Sequence, residues 1–148
     1  MVVRIALALV LALPLMAADP KWIRMPSPGF EIYSSAGEGN TRRVLRHFEL
    51  ASEFFAQVTG TVPAKAEPVR VIVFGSKKEY EPYRPNEFAA AFYLGGAARD
   101  YIVLGGTSDD VFPIAVHEYV HLIVQNAGTR LPPWLSEGLA EQIGRAHV

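Results

Sequence analysis

The 148-residue chain has no cysteine, almost no net charge and no apolar run as long as a typical membrane-spanning helix. Without cysteine it cannot carry a disulfide scaffold, a thiolate zinc site or a cysteine nucleophile. A net charge of −1 and an isoelectric point near 6.4 provide no electrostatic basis for nucleic-acid binding. Since 50% of the residues are hydrophobic, the chain can bury a core, and its length is that of one domain.

The first residues have the pattern of a secretory signal peptide, which we place at residues 1–18. Arg4 precedes an apolar run from Ile5 to Met16, and the small residues Ala17 and Ala18 follow it. The run is shorter than the roughly 20 apolar residues that a membrane-spanning helix needs. We therefore predict a secreted or periplasmic protein, with a membrane association only if this segment stays uncleaved.

Residues 143–148 resemble the translation of a sequencing adapter, and we interpret them as non-native. The alternative is a genuine short tail, but the chain would then stop about two turns into an amphipathic helix. On the first interpretation, residues 19–142 are the N-terminal part of a larger domain. The histidines of that part are His47, His117 and His121.

The hydrophobic pattern between residues 21 and 142 mixes strands with helices and predicts an α+β domain. Apolar residues at spacings of three and four indicate a helix from Thr41 to Val58, followed by Gly60 as its end. An apolar pattern on nearly every face indicates a buried helix from about Ser108 to Asn126, ending before Gly128. Lys21–Gly29 is predicted as an extended segment that precedes the first strand. The predicted strands are Phe30–Ser34, Val69–Phe74, Ala89–Leu94 and Tyr101–Leu104. A short helix is predicted to begin at the capping pair Ser76 and Glu79.

The buried helix contains His117-Glu118-Tyr-Val-His121, an HExxH motif. His117 and His121 share one helical face, so both imidazoles can bind one metal ion. Glu118 points about 100° away around the helix, toward the side where a metal-bound water would lie. Polar groups left unpaired on an apolar helix would each cost several kcal/mol, which a zinc ion would offset. The alternative is a histidine–glutamate pair satisfied by neighbouring backbone.

A catalytic zinc also needs a third protein ligand, and no further histidine follows at a ligand spacing. Glu137 and Glu141 follow on a second predicted helix, where their spacing places both carboxylates on one face. In the economical arrangement Glu137 is the ligand and Glu141 hydrogen-bonds a ligating imidazole, with Glu141 as the fallback ligand. The alternative is that both are solvated carboxylates on a surface helix.

The HExxH helix followed by Trp134-Leu-Ser-Glu137-Gly-Leu-Ala-Glu141 resembles the corresponding segment of the gluzincin zinc metallopeptidases. It looks closest to the peptidase MA-like domains of exported bacterial proteins. The resemblance implies a zincin-like fold, in which a small mixed or antiparallel sheet accompanies the HExxH helix and a following ligand helix. Ser136 replaces the asparagine of the gluzincin aminopeptidases, and their Gly-x-Met-Glu-Asn signature is absent, so aminopeptidase specificity is not supported.

Carried over to this chain, the resemblance implies a Zn²⁺ ion held by His117, His121 and Glu137. Glu118 would be the general base and Glu141 an acidic residue behind the ligands. Relatives stabilise the oxyanion with a tyrosine or histidine from sequence after the ligand helix, which cannot be assigned here. Tyr119 does not replace it, because helical geometry turns this side chain away from the ligand pair and toward the core. 

The same resemblance implies a peptide or protein substrate that binds as an extended strand along an antiparallel sheet edge. That edge is expected at Ala98–Leu104 or at the adjoining Phe92–Leu94. The predicted function is therefore that of an exported zinc-dependent peptidase. The alternatives are a non-catalytic, zinc-stabilised binding module of the same fold and a plain α+β domain without metal.

Overall fold

The structure is a computed structural model that describes residues 20–60, 67–96, 99–126 and 131–146. The predicted signal peptide, Gly128 and residues 147–148 lie outside the described residues. None of the described helices is long and apolar enough to cross a membrane. The elements are, in chain order, β1 (Ile23–Pro26), β2 (Phe30–Ser34), α1 (Glu38–Thr59), β3 (Val69–Val73), α2 (Lys77–Tyr80), β4 (Ala91–Gly95), β5 (Asp100–Leu104), α3 (Val111–Asn126) and α4 (Pro133–Ala146).

The strands form one five-stranded mixed sheet in the order β1-β2-β3-β5-β4. Strands β2, β3 and β5 run parallel, while β1 and β4 pair antiparallel with their neighbours and form the two edges. The α+β class predicted from the hydrophobic pattern is confirmed. Of the two segments expected to form the antiparallel edge, only Phe92–Leu94 lies at one, within β4. The other, Ala98–Leu104, contains β5, which lies inside the sheet between β3 and β4.

One face of the sheet is covered by helices, with α1 against β2 and α3 against β4 and β5. Phe30 of β2, Phe48 of α1 and Tyr119 of α3 meet there, with ring centroids 5.2 to 5.8 Å apart. Burial raises the pKa of Tyr119 to about 12, and the side chain is among the largest fully buried in the protein. The prediction that Tyr119 belongs to the core is confirmed, and α3 is anchored to the sheet through this face.

The end of α1 and the start of α2 follow the prediction, whereas the start of α1 does not. Helix α1 begins at Glu38 rather than at Thr41, whose hydroxyl donates to a carbonyl one turn earlier and so lies within the first turn. Gly60 ends α1 in the left-handed conformation, with φ of 67°, as predicted. The hydroxyl of Ser76 accepts a hydrogen bond from the backbone N–H of Glu79, which confirms the capping pair of α2.

Strand β1 is the element that the sequence pattern does not predict, since Lys21–Gly29 has the character of an extended lead-in. Its ladder with β2 places Met25 opposite Ile32 and Pro26 opposite Glu31. Proline lacks a backbone donor, and sheets accept it on an edge strand, where Pro26 lies. The pairing with β2 therefore decides the strand, because the short segment alone carries too weak a signal.

Helix α4 packs along α3 and continues through Ala146. Gly144 allows this close approach, since a Cβ there would lie 2.9 Å from the carbonyl oxygen of Pro113. Ile143 is buried in the main core. Residues 143–146 thus extend the helix, while their interpretation as non-native sequence stays a prediction.

Candidate metal centre

Three metal-ligating side chains from α3 and α4 converge on one point. The Nε2 atoms of His117 and His121 are 2.9 Å apart. The carboxylate of Glu137 lies against both, with Oε2 at 3.4 Å from Nε2 of His117 and Oε1 at 3.4 Å from Nε2 of His121. The structure thus brings together the three residues that the sequence marks as metal ligands.

The helices position this group through simple geometry. A spacing of four residues stacks the imidazoles of His117 and His121 on one face of α3, and the close packing of α4 brings Glu137 to that face. The imidazoles are half-buried, whereas the side chain of Glu137 is 64% exposed. The group is therefore held by the core on one side and open to solvent on the other, as a catalytic metal site with a free coordination position requires.

The donor set fits zinc. Imidazole nitrogens and carboxylate oxygens are ligands that Zn²⁺ takes at about 2.0–2.2 Å, usually in tetrahedral geometry. Such bonds separate neighbouring ligand atoms by about 3.3 Å. The two nitrogen–oxygen distances of 3.4 Å match this value, and the nitrogen–nitrogen distance of 2.9 Å is slightly shorter. In the described part of the chain, these two imidazoles are the groups that face the carboxylate of Glu137.

Ser136 makes a contact with the group that sequence reasoning missed. Its hydroxyl oxygen lies 3.2 Å from Nδ1 of His121. When Nδ1 carries the proton and donates it to this oxygen, Nε2 keeps its lone pair for a metal ion. From the sequence, Ser136 is only a replacement for asparagine. Its position immediately before Glu137, on the turn that meets α3, is the signal that could have identified it.

Glu118 lies beside the ligand group and is not one of its members. This carboxylate borders a cleft of about 450 Å³ between α3 and α4, whose lining residues are Pro113, Ile114, His117, Glu118, Ala140, Glu141 and Gly144. A carboxylate next to the ligands but outside them is the arrangement expected of a general base. Glu141 shares the cleft with Glu118, and its hydrogen bond to a ligating imidazole stays a prediction.

Comparison of the chain with models of known protein families, with curated proteins and with solved structures finds no match. An assignment of function therefore depends on the residues of the site and their chemistry.

Proposed function

We propose that this protein is an exported zinc-dependent metallopeptidase of the gluzincin type, with a zincin-like fold. The observation that carries the proposal is the convergence of His117, His121 and Glu137, with Glu118 bordering a cleft beside them. Two imidazoles and one carboxylate with an open side are the protein ligands of a catalytic zinc site. Export is supported by the signal-peptide pattern of residues 1–18.

Each residue of the site has its own role in the proposed hydrolysis of a peptide bond. His117, His121 and Glu137 would hold Zn²⁺, which when bound would supply an acidified water and polarise the scissile carbonyl. The carboxylate of Glu118 would accept the proton released by the attacking water and donate it to the leaving amine nitrogen. The hydrogen bond between Ser136 and His121 keeps the imidazole oriented throughout.

The sheet supplies a place for an extended substrate. Strand β4 is one of the two antiparallel edges of the sheet, and α3, which carries the ligand pair, packs against it. A peptide that adds to this edge gains main-chain hydrogen bonds and lies alongside the helix of the metal group. This arrangement supports a peptide or protein substrate over a small molecule.

The test combines metal analysis with a peptide-library cleavage assay on the purified protein and its Glu118→Gln variant. We expect about one zinc per chain in both proteins, because Glu118 is not a ligand. Hydrolysis by the variant should fall about 10²- to 10⁴-fold, the usual contribution of a general base. Glu49→Gln, which removes an exposed carboxylate on α1, is the matched control and should retain full activity.

The possible results separate the competing functions. Zinc bound by the wild type without cleavage of any library peptide would favour the non-catalytic binding module. A wild type that binds no zinc would overturn the metal centre altogether. Equal hydrolysis by Glu118→Gln and the wild type would overturn the role of Glu118.

A further inference from the structure

A hydrogen-bonded trio joins the edge strand to the end of the helix that carries the metal ligands. The hydroxyl of Tyr93 donates to Oδ1 of Asp100 at 2.8 Å, and the side-chain amide of Asn126 donates to Oδ2 at 3.1 Å. We name Tyr93, Asp100 and Asn126 the edge latch. Its members belong to three elements, since Tyr93 lies in β4, Asp100 begins β5 and Asn126 ends α3.

The latch lies on the helix-covered side of the sheet. Asp100 is only 4% exposed, and Tyr93 pairs with Ile102 in the ladder, whose side chain is buried in the core. Burial, followed by the hydrogen bond to Asp100, raises the pKa of Tyr93 to about 12. The tyrosine hydroxyl therefore stays protonated, and able to donate, at neutral and moderately basic pH.

Gly95 leaves space for the side chain of Tyr93 to reach Asp100. A Cβ on Gly95 would lie 2.7 Å from the hydroxyl oxygen of Tyr93, so a larger residue there would displace this hydroxyl. Gly95 is also the residue opposite Asp100 in the ladder. The ring of Tyr93 thus extends along β4 toward Gly95, and its hydroxyl reaches the pair that Gly95 forms with Asp100.

Precise placement of β4 matters for the proposed reaction. His121 precedes Asn126 on the same helix by roughly 7.5 Å along the axis. Edge strands open more readily than interior strands, and a displacement of about 1 Å in a bound substrate can cost about 10²-fold in rate. A contact that ties β4 to α3 therefore controls the distance between a strand-bound peptide and the metal group.

We propose that Tyr93 is a positioning residue, which acts through Asp100 and Asn126 to hold β4 in register with α3 and so aligns a strand-bound peptide with the metal centre. The inference rests on the proposed peptidase function. Tyr93 acts through its neighbours, and nothing requires it to contact the reacting atoms.

The experiment compares Tyr93→Phe with Tyr101→Phe in the full-length, zinc-loaded protein. Tyr101 is the matched control, because it loses a hydroxyl from the neighbouring strand on the opposite face of the sheet, where Arg70 contacts it. Two peptides are hydrolysed in parallel, one long enough to pair with all of β4 and one too short to pair with it. Amide hydrogen exchange of β4 is measured in the same proteins without substrate.

For Tyr93→Phe we expect kcat for the long peptide to fall about two- to tenfold, because the peptide is less well aligned, with zinc content unchanged and the short peptide unaffected. Exchange of the β4 amides should accelerate about tenfold or more. Tyr101→Phe should match the wild type in every measurement. Unchanged kcat for the long peptide, or equal effects on both peptides, would overturn the positioning role.

The exchange measurement keeps this inference separate from the proposed function. A wild type that hydrolyses neither peptide would refute the peptidase and, with it, the alignment of a substrate. In that case faster β4 exchange in Tyr93→Phe would still establish the latch as the contact that holds the edge, and unchanged exchange would refute that as well.

Discussion

Two clusters of ionisable side chains in this protein are built in opposite ways. On the face of the sheet opposite α1 and α3, Glu31 is 7% exposed and pairs with Arg24, Arg70 and Arg99 at nitrogen–oxygen distances of 2.5 to 3.6 Å. Hydrogen bonds from Arg70 and then Arg24 lower the pKa of Glu31 to about 2. Between α3 and α4, by contrast, Glu137 faces two imidazoles in the described part of the chain and no guanidinium.

The contrast separates a carboxylate with a structural role from a candidate metal ligand. The charge of Glu31 is balanced by cations that the fold itself supplies, so the cluster is complete. The group around Glu137 combines a carboxylate with two imidazoles, each of which presents its Nε2 to the same point. A bound external cation would therefore stabilise this group more than the cluster around Glu31. Substitutions in each cluster test this contrast.

The largest effect is expected from removal of an imidazole ligand. His121→Ala should reduce the zinc content from about one per chain to near zero and abolish hydrolysis, because two ligands cannot hold catalytic zinc. Elemental analysis after dialysis measures the metal directly. His47→Ala is the matched control, since His47 stacks on Phe112 away from the group, and it should keep its zinc. Full zinc content in His121→Ala would remove the metal centre.

A smaller effect is expected from loss of the hydrogen bond between Ser136 and Nδ1 of His121. Ser136→Ala removes the acceptor for Nδ1 and should weaken zinc affinity about 10- to 100-fold without abolishing binding. A competition titration with a metal chelator measures the change in Kd. Ser136→Asn, which restores a polar acceptor, should recover part of the affinity. An unchanged Kd in Ser136→Ala would show that the serine does not orient the imidazole.

The smallest effect is expected from a substitution at Glu31, which should lower the stability of the fold and leave the metal centre unchanged. Glu31→Gln removes the charge that pairs with the arginines and should lower Tm by a few degrees at pH 7 while the zinc content stays at the wild-type level. Thermal unfolding of both proteins, with metal removed so that the zinc ligands do not enter the comparison, measures the difference.

The pH dependence of that difference has a definite sign. The pKa of Glu31 is lower in the folded protein than its ordinary value of 4.5, so the folded state prefers the ionised carboxylate. The stabilisation is fully present above pH 4.5 and is lost as the pH falls toward about 2. The Tm values of wild type and Glu31→Gln should therefore converge over this range. A difference that persists at pH 2 would show that packing and not charge makes Glu31 stabilising.

The sequence predicts the strongly patterned elements well. Helix α3 was recognisable from its apolar faces and its capping residues, and the structure places it at Val111–Asn126. The hairpin of β4 and β5 was recognisable from two short apolar runs on either side of glycines. These signals are local, because a helix or a hairpin is formed by residues that are neighbours in the chain.

Other features could not be predicted, because they depend on pairing between distant segments. Strand β1 exists through its ladder with β2, and the crossover that puts β5 between β3 and β4 carries no local signature. The contact of Ser136 with His121 and the edge latch also need the packing of α3 against its neighbours. Residue type alone does not distinguish these side chains from ordinary polar ones.

The candidate ligands were evident from residue type and spacing alone, because a helix of fixed pitch brings His117 and His121 to one face whatever surrounds it. The tertiary structure brings Glu137 into contact with both imidazoles and places Glu118 at the cleft beside them. It also places β4 at the edge of the sheet next to α3. Those outcomes follow from the packing of α4 along α3 and from the strand order, which only packing of the whole domain determines.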